Sequence, residues 1–307
     1  MAPAPPPPAL HLPYAPGPFR LALGLTTVPE AAWIEIDDRY PEQVSLRRRL
    51  VAKRRDEVLG RTVGSEAAMS ELRDLLVAHL LGHYPHWFAR RGAVLDNALD
   101  GTSLDLAGDP LEQVARLVQE DVCLLRPEPD GPVLIAAALC FPSRWRLAEK
   151  LGRPLAAIHD PVPGYAAALA RPVDRFLSAL AAGRIAQRLN WSVLDDPGLF
   201  QPTGHGRAAH DPSFTPENAI ARLNLRVERQ TFRRLPRTGA VAFGIRVHVT
   251  PLASVVALPG EAARLAAAVR GLPPDMARYK SMSPFRDALL ECLDRIAGRV
   301  DEPRRAP

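Results

Sequence analysis

The chain has 307 residues, 47% of them hydrophobic and 24% charged, which suits one or two packed domains of an ordinary globular protein. Its formal net charge of +5 is carried mainly by arginine among interleaved acidic residues, so it fits phosphates, propionates or an acidic protein as well as nucleic acid. No run approaches the ~18 uncharged apolar residues of a membrane helix, and three scattered cysteines (Cys123, Cys140, Cys292) with no CxxC pair argue against a zinc ribbon or a disulfide framework.

The N-terminus, MAPAPPPPALHLPYAPGPF, has neither the basic region nor the apolar block of a secretory signal. Residues 1–30 therefore read as a disordered, proline-rich leader, and the expected location is the cytoplasm. Residues 31–117 read as a helical extension. Pro41-Glu42-Gln43 opens a helix running to Gly60, with Leu46 and Leu50 inward and Arg47, Arg48, Lys53, Arg54 and Arg55 mainly solvated. That basic stripe carries no aromatic side chain on which bases could stack, which argues against nucleic acid. Ser65-Glu66 begins a second helix ending in AHLLGHYPHWF, where His79 and His83 share a face. This spacing occurs in zinc sites, although no glutamate follows His79 to give HExxH. Asp109-Pro110 supplies the cap and first residue of a third helix.

Residues 118–252 read as the core. Strands at Val122–Leu125 and Val133–Phe141 form a hairpin around Pro129-Asp130-Gly131. Helical segments follow near Trp145–Leu151 and Tyr165–Leu180, joined by the corner HDPVPGY, whose two prolines remove backbone freedom. His159 stands in this corner, either as a ligand for a metal or haem or as a hydrogen-bonded structural residue. A third strand, RLNWSVLDD, precedes a loop over 197–216, long enough to read as a lid or an insertion. Two strands then alternate with a period of two, LNLRVERQTFRRL and AVAFGIRVHVTPL. Residues 253–300 carry C-terminal helices, from Glu261 to Arg270 and from Pro284 to Ala297, and 301–307 is a polar tail.

Two strands, then helices, then three strands is the element order of a PAS domain. The expected fold is α+β: a PAS-like five-stranded antiparallel sheet with helices on one face, plus helical N- and C-terminal extensions. The segments QEDVCLL (119–125), FPSRWRLAEKLGRPLAAIHDPVPGY (141–165), RLNWSV (188–193) and ERQTFRRLPRTGAVAFGIRVHV (228–249), with RYPEQ (39–43) and ARYK (277–280), carry a further resemblance. In this order, over roughly residues 30–285, they resemble the signature blocks of the haem-dependent oxidative N-demethylase family, alpha-subunit type.

The resemblance implies haem b in a PAS-like domain and an oxidoreductase that uses O2 to demethylate a small secondary amine, such as dimethylamine, releasing formaldehyde. It implies a separate reductase using NADPH and flavin as the electron source. This chain has neither a GxGxxG fingerprint nor a ferredoxin-like cysteine set. On this reading His159 is the axial iron ligand, with His248 on the fifth strand as the alternative. His205 and His210, in the long loop, are poorer candidates. Glu228 would accept the amine N–H, or else form a cross-strand ion pair with an arginine. Tyr165 would donate to bound oxygen, or merely pack at a helix start. Arg229, Arg233 and Arg237 would hold the haem propionates. Two other classes compete. A haem-PAS gas or redox sensor would use the same pocket without turnover but normally needs an output module. A basic nucleic-acid-binding protein would explain the arginines but not the blocks.

Overall fold

Short stretches of alternating burial build the centre of the molecule, seen here in a computed structural model that describes residues 3–301. Ten strands form among the described residues: β1 (Thr26–Val28), β2 (Leu59–Arg61), β3 (Phe88–Arg91), β4 (Val94–Asn97), β5 (Thr102–Asp105), β6 (Asp121–Arg126), β7 (Val133–Ala138), β8 (Ile185–Leu194), β9 (Asn224–Arg234) and β10 (Val241–Pro251). Seven of them make one antiparallel sheet in the order β1-β8-β9-β10-β6-β7-β2. The five strands expected from the sequence are β6 to β10. The sheet has seven members rather than five because β1 and β2 pair at its edges. Each has only three residues, too few for an alternating pattern to register in the sequence.

Residues 31–117 are not wholly helical. Besides helices 40–53, 66–83 and 110–117 they contain β2 and a second sheet, β3-β4-β5. The β3–β4 hairpin turns on two residues, Gly92 and Ala93, with Arg91 opposite Val94. Gly92 has φ +60°, the positive value that the first turn residue of a type II′ hairpin requires. Asp109 caps the helix 110–117 as expected, its Oδ1 accepting from the backbone N–H of Leu111 at 3.0 Å and of Glu112 at 3.4 Å.

The leader also departs from expectation, because its described part is docked along the molecule. Trp87 Nε1 donates to the Pro3 carbonyl at 2.7 Å, and the Asp38 N–H donates to the Pro6 carbonyl at 2.8 Å. Tyr14 is buried, donates to Glu261 Oε2 at 2.6 Å and lies 4.8 Å beneath the Arg264 guanidinium. Proline-rich chain has less backbone freedom to lose on docking, so a few such anchors suffice to order it. At the other end, helices 261–271, 274–279 and 286–301 close the fold, and the expected polar tail after Asp301 lies outside the described residues.

Arg47, expected among the solvated residues of its helix, is instead fully buried. Its Nη1 donates to Asp121 Oδ1 at 2.5 Å. The Asp121 carboxylate also accepts the backbone N–H groups of Cys140 at 2.7 Å and Phe141 at 2.8 Å. These bonds compensate the desolvation of two charges and fix where the chain leaves β7. That exit segment becomes a wall of the site described next. No helix among the described residues is long and apolar enough to cross a membrane.

Candidate functional site

Residues directly opposite each other on paired strands share a face of the sheet. Arg188 pairs with Gln230 and Asn190 with Glu228 across β8 and β9, and Ile245 pairs with Gln230 across β9 and β10. These side chains therefore stand on one face, where they help enclose a cavity of about 730 Å³. That volume falls within the ~300–1,000 Å³ of small-molecule and cofactor sites. The opposite wall comes from residues 139–169, including Phe141, His159 and Tyr165, with Tyr279 and Lys280 from the C-terminal helices and Phe19 from the leader. The long loop contributes His205 to the lining. Asp195 receives Arg144 at 2.5 Å and Arg207 at 2.6 Å, and the His205 ring lies 5.0 Å from that of Tyr279.

His159 ends a single helical turn, Leu155–Ile158, and is followed by the proline corner and by Gly164 at φ +75°. Its Nδ1 lies 2.9 Å from the Leu155 carbonyl, and a carbonyl can only accept, so Nδ1 carries the proton. Nε2 is left with its lone pair and has no hydrogen-bond partner among the described residues. Burial lowers the histidine pKa, so the ring is neutral near pH 7. It stacks on Tyr165, centroids 4.6 Å apart with the planes 11° from parallel. Burial pushes the Tyr165 phenol up to about 12, so it stays a donor.

His248 pairs with Val227 and thus points to the other face of the sheet, where its Nε2 lies 3.1 Å from Glu35 Oε2 and its ring 4.8 Å from His11. Arg229 and Arg233 share that far face. Arg229 binds Gln187 Oε1 at 2.6 Å and the carbonyls of Ala32 and Trp33, and pairs with Glu35 at 3.1 Å. Arg233 covers the Trp33 ring at 4.2 Å and pairs with Glu30 at 2.7 Å. Arg237 sits exposed after β9 and pairs with Glu71 and Asp74. The three arginines expected to hold propionates thus tie the N-terminal third to the sheet and do not line the cavity.

Other cations line it. Arg188 Nε is buried without a partner, and burial lowers the guanidinium pKa against the pull of Glu228. Lys280 Nζ donates to the Trp191 carbonyl at 2.5 Å and to Asn190 Oδ1 at 3.3 Å. Burial pushes its pKa down to about 8, although Glu228 nearby opposes the shift. Sequence reasoning assigned Lys280 no role. The available signal was a lysine closing the otherwise apolar-flanked block ARYK.

A depressed lysine pKa means that the unfolded chain binds more protons than the folded one between pH ~8 and ~10.5. Unfolding free energy should therefore rise with pH across that window, the cost of burying the ammonium being relieved as it deprotonates. Lys280→Met is expected to flatten this rise, measured as urea midpoints from pH 7 to 10. An unchanged slope would show that Lys280 does not carry it.

Glu228 accepts from Gln230 Nε2 at 2.9 Å and Asn190 Nδ2 at 3.4 Å. Its partners are two amides, not an arginine, which leaves acceptor capacity on the carboxylate. Cys123 and Cys140 are buried, and their thiols are pushed up to about 12, so neither offers a thiolate. The wall thus joins a neutral imidazole with a free Nε2 to buried cations and one amide-held carboxylate. In a comparison with protein families, the description "haem-dependent oxidative N-demethylase, alpha subunit-like" matches residues 24–290, and the chain belongs to that family.

Proposed function

We propose that this chain is the haem-carrying subunit of an oxidative N-demethylase that acts with O2 on a small secondary amine of the dimethylamine kind and releases formaldehyde. Family membership brings haem dependence and a partner subunit. The observation that carries the finer reading is that His159, with its free Nε2, and the Glu228 carboxylate line one cavity. The donor set suits haem b: a neutral imidazole for iron, apolar walls for the macrocycle, and Arg188 and Lys280 for the propionates. The spatial order β7-β6-β10-β9-β8, with the helical segments 155–179 over one face, supports the PAS-like reading. Electrons come from a separate NADPH- and flavin-dependent reductase in the cytoplasm.

When bound, haem supplies oxygen activation and takes up the reductant's electrons. The chain's own residues do the rest. His159 holds the iron through Nε2, its ring fixed by the Leu155 carbonyl and by Tyr165. Dimethylamine is an ammonium ion at neutral pH, so entry into the cavity needs compensation for lost hydration. Arg188 and Lys280 alone would repel it, but two propionates held by them would balance their charge. Glu228 is then free to accept the amine N–H and turn a methyl group toward the reacting centre. Tyr165 donates a hydrogen bond into the cavity, and the 197–216 loop excludes water.

Full-length protein supplied with haem b should bind about one equivalent with a Soret band that shifts on adding dimethylamine. With a flavin reductase and NADPH it should release formaldehyde. Haem binding without amine response or formaldehyde would support a gas or redox sensor instead, and absence of a Soret band would end both readings.

A further inference from the structure

On the far face of the sheet the segment 30–33 crosses the end of helix 66–83. There the donor atoms of Glu30, His79 and His83 lie within 4.8 Å of one another. We propose that these three side chains bind one divalent transition-metal ion of the zinc type, which pins the segment 30–33 to the helix. This site is separate from the cavity, and the proposal does not rest on the demethylase reading.

Three observations carry it. His79 is 4% exposed and neither ring nitrogen has a partner. Buried polar atoms without a partner are rare and call for an ion or an ordered water. Next, His79 and His83 are one turn apart on the same helix, ring centroids 4.6 Å apart, and His83 is the last helical residue. An i, i+4 histidine pair presents two nitrogens to one ion, and a helix C-terminus favours a cation.

The third observation is the carboxylate. Glu30 arrives from a different segment, and Arg233 binds its Oε1 at 2.7 Å. An ion pair of this kind orients a ligating carboxylate. A tetrahedral ion with bonds of ~2.0–2.1 Å needs its donors about 3.4 Å apart. The exposed side chains of Glu30 and His83 can close the remaining gap, while buried His79 stays fixed. Two histidines and a carboxylate leave the fourth position to water. The neighbouring set His11, Glu35 and His248 is a weaker candidate, because His248 Nε2 already bonds Glu35, whereas both His79 nitrogens are without a partner.

The test uses full-length protein stripped with a chelator, dialysed against zinc and assayed for bound metal, with affinity read by competition against a chromophoric chelator. One tightly held zinc per chain is expected, together with a zinc-dependent rise in melting temperature. His83→Ala and Glu30→Gln, both at exposed positions, should weaken binding by more than the about tenfold that loss of an outer-shell partner costs, and should abolish the thermal shift. His248→Ala should leave both intact. No zinc retained by the parent protein, or equal zinc in the parent and His83→Ala, would overturn the proposal. So would loss on His248→Ala alone, which would move the ion to the other cluster.

Discussion

Replacing His159 by alanine is expected to cost at least about tenfold in haem affinity, or ~1.4 kcal/mol, and to change the spin state of any haem retained. The reason is local. Nδ1 is committed to the Leu155 carbonyl, so Nε2 is the nitrogen with a lone pair to give. The turn at Leu155–Ile158 and the stacked Tyr165 hold the ring, so little entropy is lost when a ligand binds. His248→Ala provides the comparison. That residue lies on the opposite face, hydrogen-bonded to Glu35, and its loss should leave the Soret band in place. Titrating each purified variant with haem and recording the spectrum decides the matter. A variant lacking His248 that loses haem, beside a His159 variant that keeps it unchanged, would reverse the assignment.

Glu228→Gln should bind haem nearly normally, respond weakly to dimethylamine and release formaldehyde at least about tenfold more slowly, or ~1.4 kcal/mol in barrier. Glutamine keeps the shape of the side chain and can still bond Asn190 and Gln230, so the sheet is expected to stay intact. What is lost is the charge that offsets desolvation of an ammonium ion and makes its N–H bonds strong enough to orient the methyl group. The pattern to look for is a weaker amine-induced spectral change together with slower turnover. Full turnover with only a lowered melting temperature would make Glu228 a structural strand residue and remove it from the reaction.

Much of the framework could be read from local pattern. Alternation with a period of two marked β9 and β10, apolar runs about a turn marked β6 and β7, Asp109-Pro110 marked a helix start, and the prolines around His159 marked a rigid corner. The same alternation separates His248 from the cavity, since its neighbours Val247 and Val249 take the other face. These signals work because each depends only on bonds and side-chain directions within a few residues.

Partner choice across long sequence separations was decided by the tertiary structure alone. Arg229 and Arg233 look as suited to propionates as any arginine in the chain, yet strand parity turns them toward Glu35, Glu30 and Trp33, roughly two hundred residues earlier in sequence. Arg188 and Lys280 meet Glu228 only because β8 pairs with β9 and a C-terminal helix closes over that face. Arg47 is buried because Asp121 and two backbone N–H groups surround one another there, which no helical periodicity encodes. The leader is ordered by docking to Trp87, Asp38, Glu261 and Arg264. Composition predicts how freely a segment moves when alone. Whether it finds a surface that offsets its ordering entropy depends on residues brought near only by the fold.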